Sequence, residues 1–157
     1  MWINPKYRYL GCSPDGLVGK DGLLEIKSLK LFKNYEIEKI IKDGGSLVPK
    51  ETFGRHCFQI QDRECKLKKT HSYYYQVQFQ MLVTERSYCD FLLYAEKGPV
   101  SIERIERDEA LMAEILEHFG TFSFQVLAPE FFVMRVPRDL LPFILPEDRI
   151  IIITIII

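Results

Sequence analysis

The chain has 157 residues, a length that supports one domain with a real core. Its 47% hydrophobic and 27% charged residues fit a soluble globular protein. A formal net charge of −1 excludes a general attraction to nucleic acid, so any phosphate binding has to come from local patches or a bound metal.

The aromatic and polar opening, Trp2–Leu10, enters as a loop or as a short strand around Tyr7–Leu10. The stretch from Gly11 to Lys30 then organises the rest. Leu17–Gly19 and Leu23–Lys27 are short apolar runs, and Lys20-Asp21-Gly22 between them supplies a glycine for the positive φ of a tight turn, which predicts a hairpin. Side chains alternate along a strand, so Glu25 and Lys27 share one face, while Leu24 and Ile26 are expected to point into the core. Asp15 sits just before the first strand and comes back beside Glu25 when the hairpin closes. Two carboxylates and an ammonium then meet at the end of one ribbon, the make-up of a hard-cation site suited to Mg²⁺. The same residues also read as a solvated strand after a Pro-Asp-Gly turn.

Further on, Asn34 caps a helix through about Lys42, with Gly44-Gly45 ending it, and Ser46–Gly54 is a loop. Cys57–Ile60 and Glu64–Leu67 alternate as an extended pair around a Gln61-Asp62-Arg63 turn. The run Lys66–His71, with Lys68 and Lys69 inside it, is the one basic cluster; it is either a solvated face or a phosphate contact. Ser72 is the expected N-cap of a helix to Thr84. On that helix Tyr73, Gln76 and Gln80 fall on one side, and Tyr74, Val77 and Met81 line an adjoining apolar side. A Gln76 amide aimed at the hairpin could hold a water, a phosphate or Lys27; it equally reads as a surface or packing amide.

Tyr88–Tyr94 is nearly all apolar and predicts a central strand, turning at Lys97-Gly98-Pro99 into Val100–Ile105. Asp108 caps a helix that buries Leu111, Met112, Ile115 and Leu116, with Gly120 ending or bending it. Pro129, Pro137, Pro142 and Pro146 forbid one long helix beyond. The Ile150–Ile157 tail is far shorter than the roughly 20 residues of a membrane helix, and reads as an extra strand or an aggregation-prone end. Cys12, Cys57, Cys65 and Cys89 form no CxxC pair and no signal peptide precedes them, so they are read as reduced intracellular thiols, nucleus and cytoplasm not being distinguished. His56, Cys57, Cys65 and His71 lack the close pairing of zinc ligands and are read as structural.

Ser-Pro-Asp-Gly, the ten-residue step from Asp15 to Glu25 and the Glu-Ile-Lys that follows resemble the PD-(D/E)xK nuclease signature. More narrowly they resemble the phage lambda exonuclease and YqaJ-type viral recombinase group. Tyr73-Tyr74-Tyr75-Gln76-Val77-Gln78 resembles the Tyr-x-x-Gln-Val-Gln helix of those proteins, and Ile105–Glu109 resembles the segment opening their late helix. The resemblance implies a restriction-endonuclease-like α/β core, a mixed sheet flanked by helices, with a nuclease domain over 1–128 and a Pro/Phe/Ile-rich tail over 129–157. It also implies helices ahead of the hairpin that contribute an acidic residue and an arginine near DNA, for which this chain has no room.

The implied chemistry is metal-dependent phosphodiester hydrolysis. Mg²⁺, with Mn²⁺ as the alternative, is held by Asp15, Glu25 and the backbone carbonyl of Ile26. Lys27 orients or helps deprotonate the attacking water, and Gln76 assists by hydrogen bonding. Ser13, Lys30, Lys68, Lys69 and Tyr73 are the expected DNA contacts. The implied partners are double-stranded DNA degraded from an end, a strand-annealing protein and two further copies in a homotrimer, with no membrane. A catalytically inactive nuclease remnant that binds DNA or another protein is the alternative reading.

Overall fold

A computed structural model describes residues 1–29, 37–43, 56–96 and 101–140. The expected residues Lys30, Asn34, Gly44-Gly45, Ser46–Gly54, Lys97-Gly98-Pro99, Pro142, Pro146 and the Ile150–Ile157 tail lie outside the described residues. The chain divides between Arg107 and Asp108 into two compact units.

The first unit is built on a four-stranded mixed sheet. Strands β1 (Trp2–Ile3) and β2 (Gly11–Cys12) pair antiparallel as a small ribbon. Strand β3 (Gly16–Val18) pairs antiparallel with β4 (Gly22–Ser28), the organising hairpin. After helix α1 (Ile37–Lys42) come the hairpin strands β5 (Phe58–Gln61) and β6 (Glu64–Leu67), then helix α2 (Ser72–Thr84). Strand β7 (Tyr88–Tyr94) joins β4 in parallel, and β8 (Ser101–Glu106) pairs antiparallel with β7. The sheet order is therefore β3-β4-β7-β8, with α2 in the β4-to-β7 crossover. This is the mixed α/β arrangement the sequence implied.

Several local features differ from expectation. The entry strand lies at Trp2–Ile3 and not at Tyr7–Leu10, because Asn4 reverses the chain: its Oδ1 accepts from the Lys6 and Tyr7 amides, and its Nδ2 donates to the Leu82 and Val83 carbonyls at the end of α2. In the β3–β4 turn the positive φ belongs to Gly19, at +56°. Gly22 is needed for space instead, since a Cβ there would meet the Tyr88 ring at 2.4 Å. In the β5–β6 turn Asp62 and Arg63 both take positive φ, the two-residue geometry that follows strand twist.

The cap of α2 is His71, whose Nδ1 accepts from the Tyr73 amide at 3.1 Å; Ser72 is the first helical residue. Burial, assisted by the Lys68 charge, lowers the His71 pKa and so favours the neutral ring that can accept this bond. Tyr74, Val77 and Met81 are buried along the expected apolar side.

The largest correction concerns β4. Its buried face carries Leu23 and Glu25, while Leu24 is half-buried and Ile26 is 44% exposed. Alternation separates the two faces correctly but does not say which one a later element covers. The donors that satisfy Glu25 come from α2, so the carboxylate side is the covered side.

In the second unit Asp108 caps helix α3 (Glu109–Phe122) by accepting from the Leu111 amide. Met112 and Ile115 are buried, whereas Leu111 and Leu116 are half-buried. Neither Gly120 nor Pro129 stops the helix there. A π-turn over Ser123–Leu127 carries the chain into α4 (Ala128–Val133), with the Ala128 amide reaching back to the Ser123 carbonyl. The widened turn falls just before Pro129, whose missing N–H and bulky ring would otherwise disturb a regular helix. Among the described residues no helix is long and apolar enough to cross a membrane.

Candidate active site

Glu25 is 2% exposed, and an ionised carboxylate there requires donors. It has three. Lys27 Nζ lies 2.6 Å from Oε1, Gln76 Nε2 donates to Oε1 at 2.9 Å, and Gln80 Nε2 donates to Oε2 at 2.9 Å. Lys27 comes from the same strand, two residues on, and shares the face by alternation. Gln76 and Gln80 come from α2 at a spacing of four, one helical turn. The Lys27 ammonium also sits 4.6 Å from the centroid of the Tyr73 ring, one turn before Gln76. Tyr73, Gln76 and Gln80 thus form one face of α2, turned toward β4.

Asp15 is exposed at the start of β3, and its Oδ2 accepts from the Ile26 amide at 2.8 Å. β3 pairs with β4 only between Gly22 and Leu24, so beyond Leu24 this edge of β4 has Asp15 in place of a strand. The N–H and C=O of one strand residue point toward the same neighbour, so the Ile26 carbonyl faces the Asp15 edge as well. Both carboxylates act on Cys89 in β7: its thiol is pushed up to about 12 by burial first, then by Glu25 and Asp90, with a smaller push from Asp15. Cys12 rises to about 11, again chiefly through burial. These thiols stay protonated at neutral pH and are poor nucleophiles.

The oxygens fit a hard cation. Among the described residues Asp15 Oδ1 accepts no hydrogen bond and Glu25 Oε2 accepts one, which leaves carboxylate lone pairs beside a backbone carbonyl. No group of three or more His, Cys, Asp or Glu side chains converges as a metal cluster among the described residues, around His56, Cys57, Cys65 and His71 included.

The expected DNA contacts, Lys30 apart, have different surroundings. Ser13 is exposed in the loop after β2, Tyr73 lies in the Glu25–Lys27 group, and Lys69 is exposed with its ammonium 5.8 Å from the Tyr74 ring. Lys68 is half-buried before α2 and its charge reaches His56 and His71. Gln80 is the site residue that sequence reasoning did not single out. Its spacing from Gln76 put it on the right face, but its bond to Glu25 depends on which face of β4 is covered.

Residues 1–87 match the family described as the YqaJ-like viral recombinase domain. Among solved structures the chain is similar to an alkaline exonuclease (LHK-Exo) from Laribacter hongkongensis, at 31% identity and a TM-score of 0.56, over 88% of this chain and 60% of that one. The same exonuclease in complex with dAMP matches at 31% identity and a TM-score of 0.56, over 87% of this chain and 59% of that one. The chain therefore spans about 60% of the length of the exonuclease it matches. No curated protein matches it.

Proposed function

The chain belongs to the YqaJ-like viral recombinase family, of the PD-(D/E)xK group, and from that premise we propose that it is a metal-dependent nuclease acting on the ends of double-stranded DNA. The observation that carries this reading is the group Lys27–Glu25–Gln76, joined at 2.6 and 2.9 Å, with Asp15 held on the Ile26 amide next door. A bare surface strand would have no use for a buried carboxylate with three donors.

Asp15, Glu25 and the Ile26 carbonyl would hold Mg²⁺ or Mn²⁺. When bound, the cation supplies a lowered water pKa and neutralisation of phosphate charge. The chain's own groups do the rest. Lys27 holds the attacking water and meets the charge that develops on the phosphoryl oxygens, its ammonium kept in place by Glu25 and the Tyr73 ring. Gln76 fixes the Glu25 oxygen that Lys27 shares. Ser13, Lys68 and Lys69 are proposed contacts to the DNA backbone, which position without reading sequence. The nuclease domain is taken as residues 1–128 with 129–157 as an appended tail, and the working assembly as a homotrimer beside a strand-annealing protein.

The test is release of acid-soluble nucleotides from linear duplex DNA with Mg²⁺. Lys27→Ala should lower turnover about 10²-fold or more while leaving Mn²⁺ and DNA binding nearly unchanged. Asp15→Asn should remove both metal binding and cleavage. Wild-type protein that binds DNA and never cleaves it with Mg²⁺ would establish the inactive DNA-binding remnant instead.

A further inference from the structure

Gln80 is only 3% exposed, on the face of α2 turned toward β4 and beside its apolar side. Among the described residues its Nε2 is the one donor on Glu25 Oε2, whereas Oε1 has both Lys27 and Gln76. The orientation of the amide is set by charge. Turning it over would aim the amide oxygen at a carboxylate oxygen, so the N–H must face Glu25. That leaves Gln80 Oε1 buried with no hydrogen-bond partner among the described residues. A leucine or methionine at this helix position would avoid the desolvation of that orphan oxygen. The polar side chain makes sense only through what it does to Glu25.

The carboxylate torsion of a glutamate is soft, with a broad two-fold profile. Donors on Oε1 alone fix one oxygen and leave the other free to swing about it. A third donor on Oε2 defines the carboxylate plane, and with it the direction of the remaining Oε2 lone pair. We propose that Gln80 is a positioning residue for Glu25, holding Oε2 in the orientation that receives the divalent cation. This rests on the metal-dependent reading above and extends it to a side chain outside the Asp-Glu-Lys-Gln set. Outer partners of metal ligands usually matter in this way, through the aim of the ligand.

The experiment compares full-length wild type with Gln80→Met, which keeps the volume and removes both the donor and the orphan acceptor. Mn²⁺ affinity is measured without DNA by paramagnetic resonance, alongside the melting temperature and kcat and KM on linear duplex DNA. Expected are a melting temperature close to wild type, since removal of the orphan oxygen offsets the lost donor on Glu25, with Mn²⁺ binding weaker by about 10-fold or more, kcat lowered in parallel and KM for DNA unchanged. Should Gln80→Met not fold, Gln80→Ala is judged by the same measurements. Wild-type Mn²⁺ affinity in a folded variant overturns the positioning role and leaves the nuclease reading standing. A lower melting temperature with Mn²⁺ affinity unchanged assigns Gln80 to packing and overturns it too. Wild type that binds Mn²⁺ but does not cleave refutes the nuclease reading alone, since the metal titration still judges Gln80. Wild type that binds no Mn²⁺ overturns both.

Discussion

Two glutamates lie in one row of the sheet, on either side of Phe91: Glu25 on β4 and Glu103 on β8 are both its register partners. Residues directly opposite in paired strands share a face, so all three project the same way. Their surroundings differ. Glu25 is buried under α2 and takes three side-chain donors, one of them a cation. Glu103 is half-buried, and its Oε2 accepts from the Leu67 backbone amide of β6 at 2.6 Å. One is held by side chains alone, each of which can be replaced singly. The other is tied to a backbone and fastens the β5–β6 hairpin to the sheet. The contrast teaches that strand position alone does not set a carboxylate's surroundings; the donors brought by the covering element do.

The sharpest way to break the comparison is to neutralise each glutamate in turn. Glu25→Gln should lower nuclease turnover by about 10²–10³-fold in the acid-soluble nucleotide assay, with the far-ultraviolet circular dichroism unchanged. Glu103→Gln, assayed side by side, should stay within about threefold of wild type. Equal losses would mean that both ends of the row serve the reaction.

A smaller effect separates them by stability. Glu103→Ala removes the acceptor of the Leu67 amide, and Leu67 is 5% exposed, so the amide has little access to water. Urea unfolding should show a loss of about 1–3 kcal/mol, and exchange of the Leu67 amide proton should quicken. Unaltered exchange at Leu67 would refute the tie.

The smallest effect is a pH dependence of opposite sign on the two sides. Burial lowers the His71 pKa from 6.5, so its capping contribution to α2 is complete above 6.5 and fades as pH falls toward the folded value. Burial raises the Glu103 pKa from 4.5, so its contribution is present below 4.5 and fades as pH rises through the folded value. His71 is partly exposed and screened, so the α2 effect should be well under about 1 kcal/mol. Urea midpoints of His71→Asn and Glu103→Gln against pH check the two signs. His71→Asn should flatten the acid-side slope below pH 6.5 and keep the cap, and an unchanged slope would dismiss the His71 account.

Much of this arrangement could be read from the residues. The α2 span Ser72–Thr84 and the β7 span Tyr88–Tyr94 agree with the expected boundaries, because long one-sided or wholly apolar runs leave little choice. A turn at Gln61–Arg63 followed from two alternating runs separated by polar residues, and it lies at Asp62–Arg63 with Gln61 closing β5. What sequence could not supply was the covering of β4. Leu24 and Ile26 looked like core only because apolar residues usually are, and the amides that reverse this lie on a helix far along the chain. The His71 cap was hidden for a related reason, since a ring nitrogen accepts only in the neutral form, which burial here favours. Pro129 was read as a stop because a straight helix cannot hold it, while a helix with one widened turn can.

The amide donors of Glu25 lie 51 and 55 residues beyond it in Gln76 and Gln80. During synthesis at about 5–20 residues per second, the carboxylate waits several seconds for its first amide. The β3–β4 hairpin can close early, but its charged face has nothing to bury against until α2 has emerged. Contacts so distant along the chain are late and slow to form. The pocket around Glu25 is therefore finished in the same event that docks α2 on the sheet. On refolding from urea, cation affinity should return with the global folding phase and never ahead of it.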